Sequence, residues 1–299
     1  MQELLIISGK GGTGKTSITA GFAALARNIV IADCDVDAAN LHMLLRPVTY
    51  HTEGFIGSQK AEIDPHKCTN CRTCEEHCRF DAIKILNAHS VVIAMACEGC
   101  GVCRLVCPEG AVTLEDHMSG HLFLSDTRYG PLVHARLGIA EENSGKLVAK
   151  VRENARLIAE TQDSDYIIID GPPGTGCPVI SSSSGVDLAL IVTEPTVAGL
   201  HDLKRVHRLI DHFAVPAMVC INKWDLDKEY AEEIETYCRH HKIELAGRIP
   251  FDRGVVSALA KGLPAVDYEI AGAPQLAGAG HAIQHVWQAV LHRLSSLSA

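Results

Sequence analysis

Short continuous apolar runs recur along the chain, each followed by a polar or glycine-rich break and then by a longer segment whose apolar positions return every three or four residues. The runs fall at about 3 to 8, at 28 to 33, at "DYIIID" ending at Asp170, at "DLALIVT" (187 to 193), at "AMVCIN" (217 to 222) and at "ELAGRI" (244 to 249). Unbroken apolar runs are what strands buried on both faces require, and helical segments between them supply the cover. The pattern predicts helices over 15 to 27 and 144 to 161, a hairpin over 121 to 137, and an α/β architecture built on a mostly parallel sheet. A last helix is expected at about 281 to 297, with Ile283, Val286, Trp287, Val290, Leu291 and Leu294 on one face. That face suits packing on the sheet. Its use as a membrane-targeting tail is the weaker alternative, because the polar face carries His and Gln where Lys and Arg are expected.

One window breaks the alternation. Eight of the twelve cysteines lie between residues 68 and 107, with α/β patterning on both sides. The expected organisation is a nucleotide-binding domain over 1–58, an inserted domain over 59–118, and the rest of the first domain over 119–299. At 299 residues, with 47% hydrophobic and 21% charged positions, the chain has the composition of a globular enzyme. A net charge of -9 argues against nucleic acid or an anionic membrane as a partner bound through a general basic field. No run approaches the roughly 20 apolar residues of a membrane span, and no leader pattern opens the chain. A cytoplasmic location is expected, in which clustered cysteines serve as metal ligands rather than disulfides.

The stretch "ISGKGGTGKTS" carries a phosphate-binding signature, G-x-x-x-x-G-K-[ST], from Gly9 through Lys10, Gly11, Gly12, Thr13, Gly14 and Lys15 to Thr16, with Ser17 next. It follows an apolar strand and opens a helix, so backbone N–H groups, the helix dipole and the Lys15 ammonium converge on phosphate oxygens while Thr16 is placed to ligate Mg²⁺. Lys10 is a second lysine that such a loop does not need. K-G-G-x-G-K-[ST] resembles the deviant-Walker ATPases, the group containing MinD, ParA, Mrp and the nitrogenase iron protein. The resemblance implies a SIMIBI-type P-loop fold and a homodimer clamping nucleotide, in which Lys10 reaches the phosphates of the other subunit as an arginine finger does elsewhere.

Further segments extend the likeness. "IADCDVDAANLH" resembles the family's switch I, which implies Asp35 beside Mg²⁺ and the attacking water, with Asp33 behind it. "IIIDGPPGTG" resembles the Walker B strand and switch II, which gives Asp170 the Mg²⁺ water shell. "INKWD" resembles the base-recognition segment, with Asn222, Lys223 and Asp225 as candidates. N-K-x-D also resembles the guanine-reading motif of GTPases; the deviant loop tips the balance to ATP. "EENSGKLV", "GPPGTGCPVI" and "TEPTVAGLHDLKRV" carry the resemblance along most of the chain.

Within the insert, Cys68-x2-Cys71-x2-Cys74-x3-Cys78 recurs as Cys97-x2-Cys100-x2-Cys103-x3-Cys107, each position displaced by 29 residues. Ala82, Ile83 and Ile85 are matched by Ala111, Val112 and Leu114. The pattern resembles a bacterial two-cluster ferredoxin, a small α+β domain in which the fourth cysteine of each run ligates the other cluster. That implies one 4Fe–4S cluster on Cys68, Cys71, Cys74 and Cys107, and a second on Cys78, Cys97, Cys100 and Cys103. Structural zinc prefers two separated pairs. Cys78 departs from the pattern in being followed by Arg79 rather than proline. Cys34, Cys220 and Cys238 are expected as buried fillers, with the role of Cys177 open, and the sixteen histidines show no metal-ligating spacing.

The combination resembles MinD-superfamily ATPases with an inserted ferredoxin. It implies an ATP-hydrolysing homodimer that gates electron transfer through two 4Fe–4S clusters to a redox partner. The alternatives are ATP-driven delivery of a cluster to an accepting protein and, less favoured, a positioning ATPase of the MinD/ParA kind.

Overall fold

A computed structural model describes residues 1–87, 89–138, 141, 144–270 and 278–297. Its strands are β1 (Gln2–Ser8), β2 (Ile29–Asp33), β3 (Val48–Ile63), β4 (Ile83–Leu86), β5 (His89–Val92), β6 (Val112–Thr127), β7 (Gly130–Leu137), β8 (Tyr166–Pro173), β9 (Leu188–Thr193), β10 (Ala217–Asn222) and β11 (Glu244–Ile249). The helices are α1 (Lys15–Leu25), α2 (Leu41–Leu45), α3 (Thr73–Glu76), α4 (Val102–Val106), α5 (Ser144–Thr161), α6 (Cys177–Ser183), α7 (Val197–His212), α8 (Lys228–His240), α9 (Arg253–Ala260), α10 (Ala265–Ile270) and α11 (Ala279–Leu297).

A nine-stranded sheet runs in the order β11-β10-β9-β1-β8-β2-β7-β6-β3. Every pairing from β11 across to β7 is parallel. In β1, Glu3 to Ser8 are all buried, as are all of β2 and β9, which is the reason these runs show no alternation. The predicted strands and the helices at 15, 144 and 281 all form, within one to three residues of the expected ends. The sequence reading missed β3, and it started β6 nine residues late. β3 is sixteen residues long and mostly exposed or half-exposed, so no continuous apolar run announces it. Residues 142 and 143 of "EENSGKLV" lie outside the described residues.

The chain divides into two compact units. The first comprises residues 1–52, 122–136 and 144–299, and the second residues 53–121 and 137–143. In the first, one core face packs α1 and α11 against the sheet through Ile18, Phe22, Leu190, Met218, Ile283, Val286, Trp287, Val290 and Leu294. Trp287 sits 5.0 Å from the Phe22 ring and edge-on to Tyr166. The expected apolar face of the last helix therefore packs on the sheet, and among the described residues no helix is long and apolar enough to cross a membrane.

Glu3 and Arg152 form a buried ion pair in this unit, at 2.5 Å. Arg152 Nη1 also donates to the carbonyls of Ser181 and Ser184, at 2.9 and 2.7 Å, tying α5 and α6 to the start of β1. These bonds offset the desolvation of the guanidinium, which a lone buried cation could not bear.

The second unit is smaller. β4 and β5 pair antiparallel, and a core of Ala61, Ala82, Cys97 and Val112 is flanked by Ile63, Val92 and Leu114. Ala82 and Ala111 are both buried, as are Ile83 and Val112, so the sequence repeat is a repeat of burial as well. It is also a repeat of backbone. Asn70, Arg72 and Asp81 have φ of 58, 67 and 51°, and their counterparts 29 residues on, Gly99, Gly101 and Gly110, have 63, 77 and 58°. The same left-handed turns are thus made by glycine in one copy and by side-chain-bearing residues in the other, which hides the repeat at these positions.

Truncating Trp287 to Ala should cost about 3–5 kcal/mol, while Gln288→Ala on the exposed side of α11 should stay within about 0.5 kcal/mol. Urea unfolding of the two variants measures both; equal small losses would mean that α11 is not part of the cooperative core.

Candidate functional site

Five strands of the first unit end side by side in the order β10, β9, β1, β8 and β2, and the segments leaving their carboxyl ends carry the candidate residues. Parallel sheets place ligands at such ends because the loops there are free of the sheet's hydrogen bonding. The Gly9–Thr16 loop leaves β1, Asp35 follows β2, Asp170 lies within β8, and Asn222 closes β10.

Gly14 is the N-cap of α1, with φ 94°, and no side chain caps the helix. The first-turn N–H groups therefore face no intrahelical acceptor, the arrangement that binds anions. A Cβ at Gly14 would lie 2.3 Å from Asn222 Nδ2, so the loop closes onto β10 only with glycine there. Asn222 Nδ2 donates to the Thr13 carbonyl at 2.7 Å. Lys15 is buried, and Thr13 Oγ1 is a buried hydroxyl that meets no protein partner.

The acidic residues converge on this loop. Asp170 Oδ1 accepts from Thr19 Oγ1 at 2.9 Å, and the Thr16 side chain lies beside the same carboxylate. Burial pushes the Asp170 carboxyl up, with Lys15, Thr16 and Thr19 pulling it back. Asp33 is fully buried and pushed well above the usual carboxylate range by burial first and by the charge of Asp170 second. Its Oδ1 accepts from the Asp35 amide at 3.2 Å and its Oδ2 from Leu41 at 3.3 Å, which anchors the turn that presents Asp35. Asp35 is half-buried, raised by burial and lowered by Lys15. Thr16, Asp35 and Asp170, the candidates for Mg²⁺, thus surround Lys15.

Beside Gly12, Gly14 and Ser17 opens a cavity whose walls include Ile18, Asn222, Lys223, Pro250, Phe251 and Leu259. Its apolar breadth suits a planar base. Asp225 stands outside this lining; it is exposed, and its Oδ1 accepts from the Phe251 amide at 2.6 Å. That places it as a tether of the Phe251 wall, while Asn222 is occupied by the loop itself. The residue that sequence reasoning missed is Glu194, at the end of β9 in "TEPT". Its carboxylate meets Lys10 at 2.5 Å and Lys223 at 3.2 Å, and Lys223 Nζ donates to the Gly12 carbonyl at 3.0 Å. Burial raises the Glu194 carboxyl, but the two lysines outweigh it and hold it below the usual range.

The second unit contains two cavities walled by cysteine. One is lined by Cys78, Cys97, Cys100 and Cys103, the other by Cys68, Cys71, Cys74 and Cys107. All eight thiols are free. The Ala61 amide points at Cys97 Sγ, 3.4 Å away, and the Ala111 amide at Cys107 Sγ, 3.3 Å away. Among the described residues no group of three or more His, Cys, Asp or Glu side chains is spaced to hold a single metal ion. Of the other cysteines, Cys34, Cys220 and Cys238 are buried and Cys177 is exposed at the start of α6.

An uncharacterized protein of Methanocaldococcus jannaschii is 32% identical over 226 residues, which are 75% of this chain and 78% of the relative. The iron-sulfur cluster carrier protein of Pyrococcus horikoshii is 24% identical over 285 residues, covering 89% of this chain and 80% of its own. Among solved structures, the septum site-determining protein MinD complexed with Mg-ADP from Pyrococcus horikoshii aligns with a TM-score of 0.59 at 17% identity, over 100% of this chain and 98% of that one. That likeness is one of fold. Residues 4–265 match the CobQ/CobB/MinD/ParA nucleotide binding domain, so the chain belongs to this family and is an α/β P-loop NTPase of the MinD/ParA type.

Proposed function

We propose that the protein hydrolyses ATP as a nucleotide-clamped homodimer and couples that cycle to electron transfer through two 4Fe–4S clusters. The observation that carries the redox half is the division of eight cysteines into two four-thiol cavities, each drawing one cysteine from the other run of the repeat. The donor set fits the group. Soft thiolates, four lining each cavity, suit iron–sulfur centres.

Cys68, Cys71, Cys74 and Cys107 would hold one cluster, and Cys78, Cys97, Cys100 and Cys103 the other. Such clusters supply one-electron carriers at low potential. The chain's own part is to bury Cys74 and Cys97 and to aim the Ala61 and Ala111 amides at sulfur, which would stabilise the more negative state.

In the nucleotide unit, two buried carboxylates beside a single lysine fit a divalent cation. Thr16 would ligate Mg²⁺, with Asp35 and Asp170 holding its water shell; the ion supplies charge neutralisation on the phosphates. Lys15 and the α1 N-terminus bind the phosphate oxygens, and Asp35 orients the attacking water. Asn222 holds the loop closed from β10 while the apolar cavity beside it takes adenine. Lys10 would act on the partner subunit's nucleotide, stabilising charge that develops in the transition state.

A second reading, ATP-gated delivery of a cluster, is favoured by the relative named an iron-sulfur cluster carrier. Anaerobic mixing separates the two. Clusters that stay bound and cycle reversibly support electron transfer, whereas iron passing to an apo-acceptor on adding ATP supports delivery.

Lys10→Ala is expected to abolish ATPase turnover while leaving nucleotide binding measurable by calorimetry, and wild-type turnover per subunit should fall on dilution below the dimerisation range. Turnover constant per subunit at every concentration would overturn the cross-subunit role. Cys71→Ser or Cys100→Ser should halve the iron content of anaerobically purified protein and leave nucleotide binding intact. Unchanged iron would overturn the ligand assignment.

A further inference from the structure

Lys10 is held within its own subunit. Its ammonium lies 2.5 Å from Glu194 Oε1, on a carboxylate whose side chain is only 17% exposed. A loop lysine and a surface acid that merely drift together contribute little. Here the acid is built into place. The Glu194 carbonyl accepts from the Thr196 amide at 2.8 Å, and Thr196 caps α7 by accepting from Gly199. A Cβ on Gly199 would lie 2.1 Å from the Glu194 carbonyl oxygen, so the first turn of α7 closes directly over the Glu194 backbone. The second carboxylate oxygen is taken by Lys223, 3.2 Å away, whose own ammonium reaches the Gly12 carbonyl. One rigidly seated carboxylate therefore ties the phosphate loop to β9 and β10 through two lysines.

We infer that Glu194 is the positioning residue for Lys10: it clasps the lysine against its own subunit until a nucleotide-loaded second copy offers phosphate in its place. The clasp rests on the cross-subunit role proposed above for Lys10. Carboxylate and phosphate oxygens compete for the same ammonium, and only one can hold it at short range. Lys223 keeps the carboxylate charged and fixed after Lys10 leaves, so the loop does not lose both ties at once. The contact thus sets how readily two subunits engage, because the free energy of breaking it opposes dimer closure.

The test compares wild type, Glu194→Gln and Glu194→Asp as full-length protein with Mg-ATP, measuring turnover per subunit against protein concentration. Dimer formation with a non-hydrolysable ATP analogue is followed in parallel by light scattering. Glu194→Gln keeps the shape and removes the charge, and should lower the concentration for half-maximal turnover about tenfold, the equivalent of about 1.4 kcal/mol. Glu194→Asp, which keeps the charge, should shift that concentration less than Glu194→Gln does. The clasp is overturned if Glu194→Gln leaves the concentration dependence unchanged, or raises it, in both assays. A wild type whose turnover ignores concentration while the analogue gives no dimer overturns the cross-subunit reading itself, whatever Glu194→Gln does.

Discussion

Buried negative charge beside a single buried lysine organises the nucleotide unit. Asp33 and Asp170 are both removed from water at the carboxyl ends of neighbouring parallel strands, and Lys15 is the cation beside Asp170. Such a constellation is costly in a low-dielectric interior, and donors offset part of the cost: Thr19 at Asp170 Oδ1, and the Asp35 and Leu41 amides at the two oxygens of Asp33. The same donors fix where Asp35 stands.

The loop that cradles phosphate is itself fastened from outside its own strand. Asn222 from β10 closes on Thr13, Lys223 on Gly12, and Glu194 from β9 on Lys10. The N-K-x-D residues themselves take part in these ties: the asparagine and lysine face the loop, and the aspartate holds the Phe251 amide. The cavity beside the loop is walled mainly by apolar side chains, among them Ile18, Phe251 and Leu259, and Asp225 stands outside it.

The cysteine unit solves a different problem. Two copies of one half-motif present equivalent thiols, and the copies keep the same left-handed backbone positions while changing the residues that occupy them. The exchange alters the surroundings of the two cavities without altering their frame: Asn70 Oδ1 accepts from Ser90 on one side, while Gly99 admits the Gln59 carbonyl on the other, where a Cβ would lie 2.0 Å from it. The two thiol sets are therefore chemically alike and environmentally distinct.

Strand runs, the glycine-rich loop and the cysteine spacing were legible in the chain because each is a local pattern: burial on both faces erases alternation, phosphate binding needs donors within one turn, and clustered thiols sit at short intervals. By contrast, β3 carries no such signal, since its exposed and half-exposed residues owe their conformation to pairing with β6 rather than to their own preference. Nor did the sequence alone decide whether α11 faces lipid or the sheet, a question resolved by Phe22 and Tyr166, far away in the chain. The partner of Lys10 belongs to the same class. Glu194 lies 184 residues along, and only the adjacency of β1 and β9 brings the two charges within bonding distance. Local chemistry follows from residue order, whereas long-range charge pairing follows from strand order, which no short stretch of sequence contains.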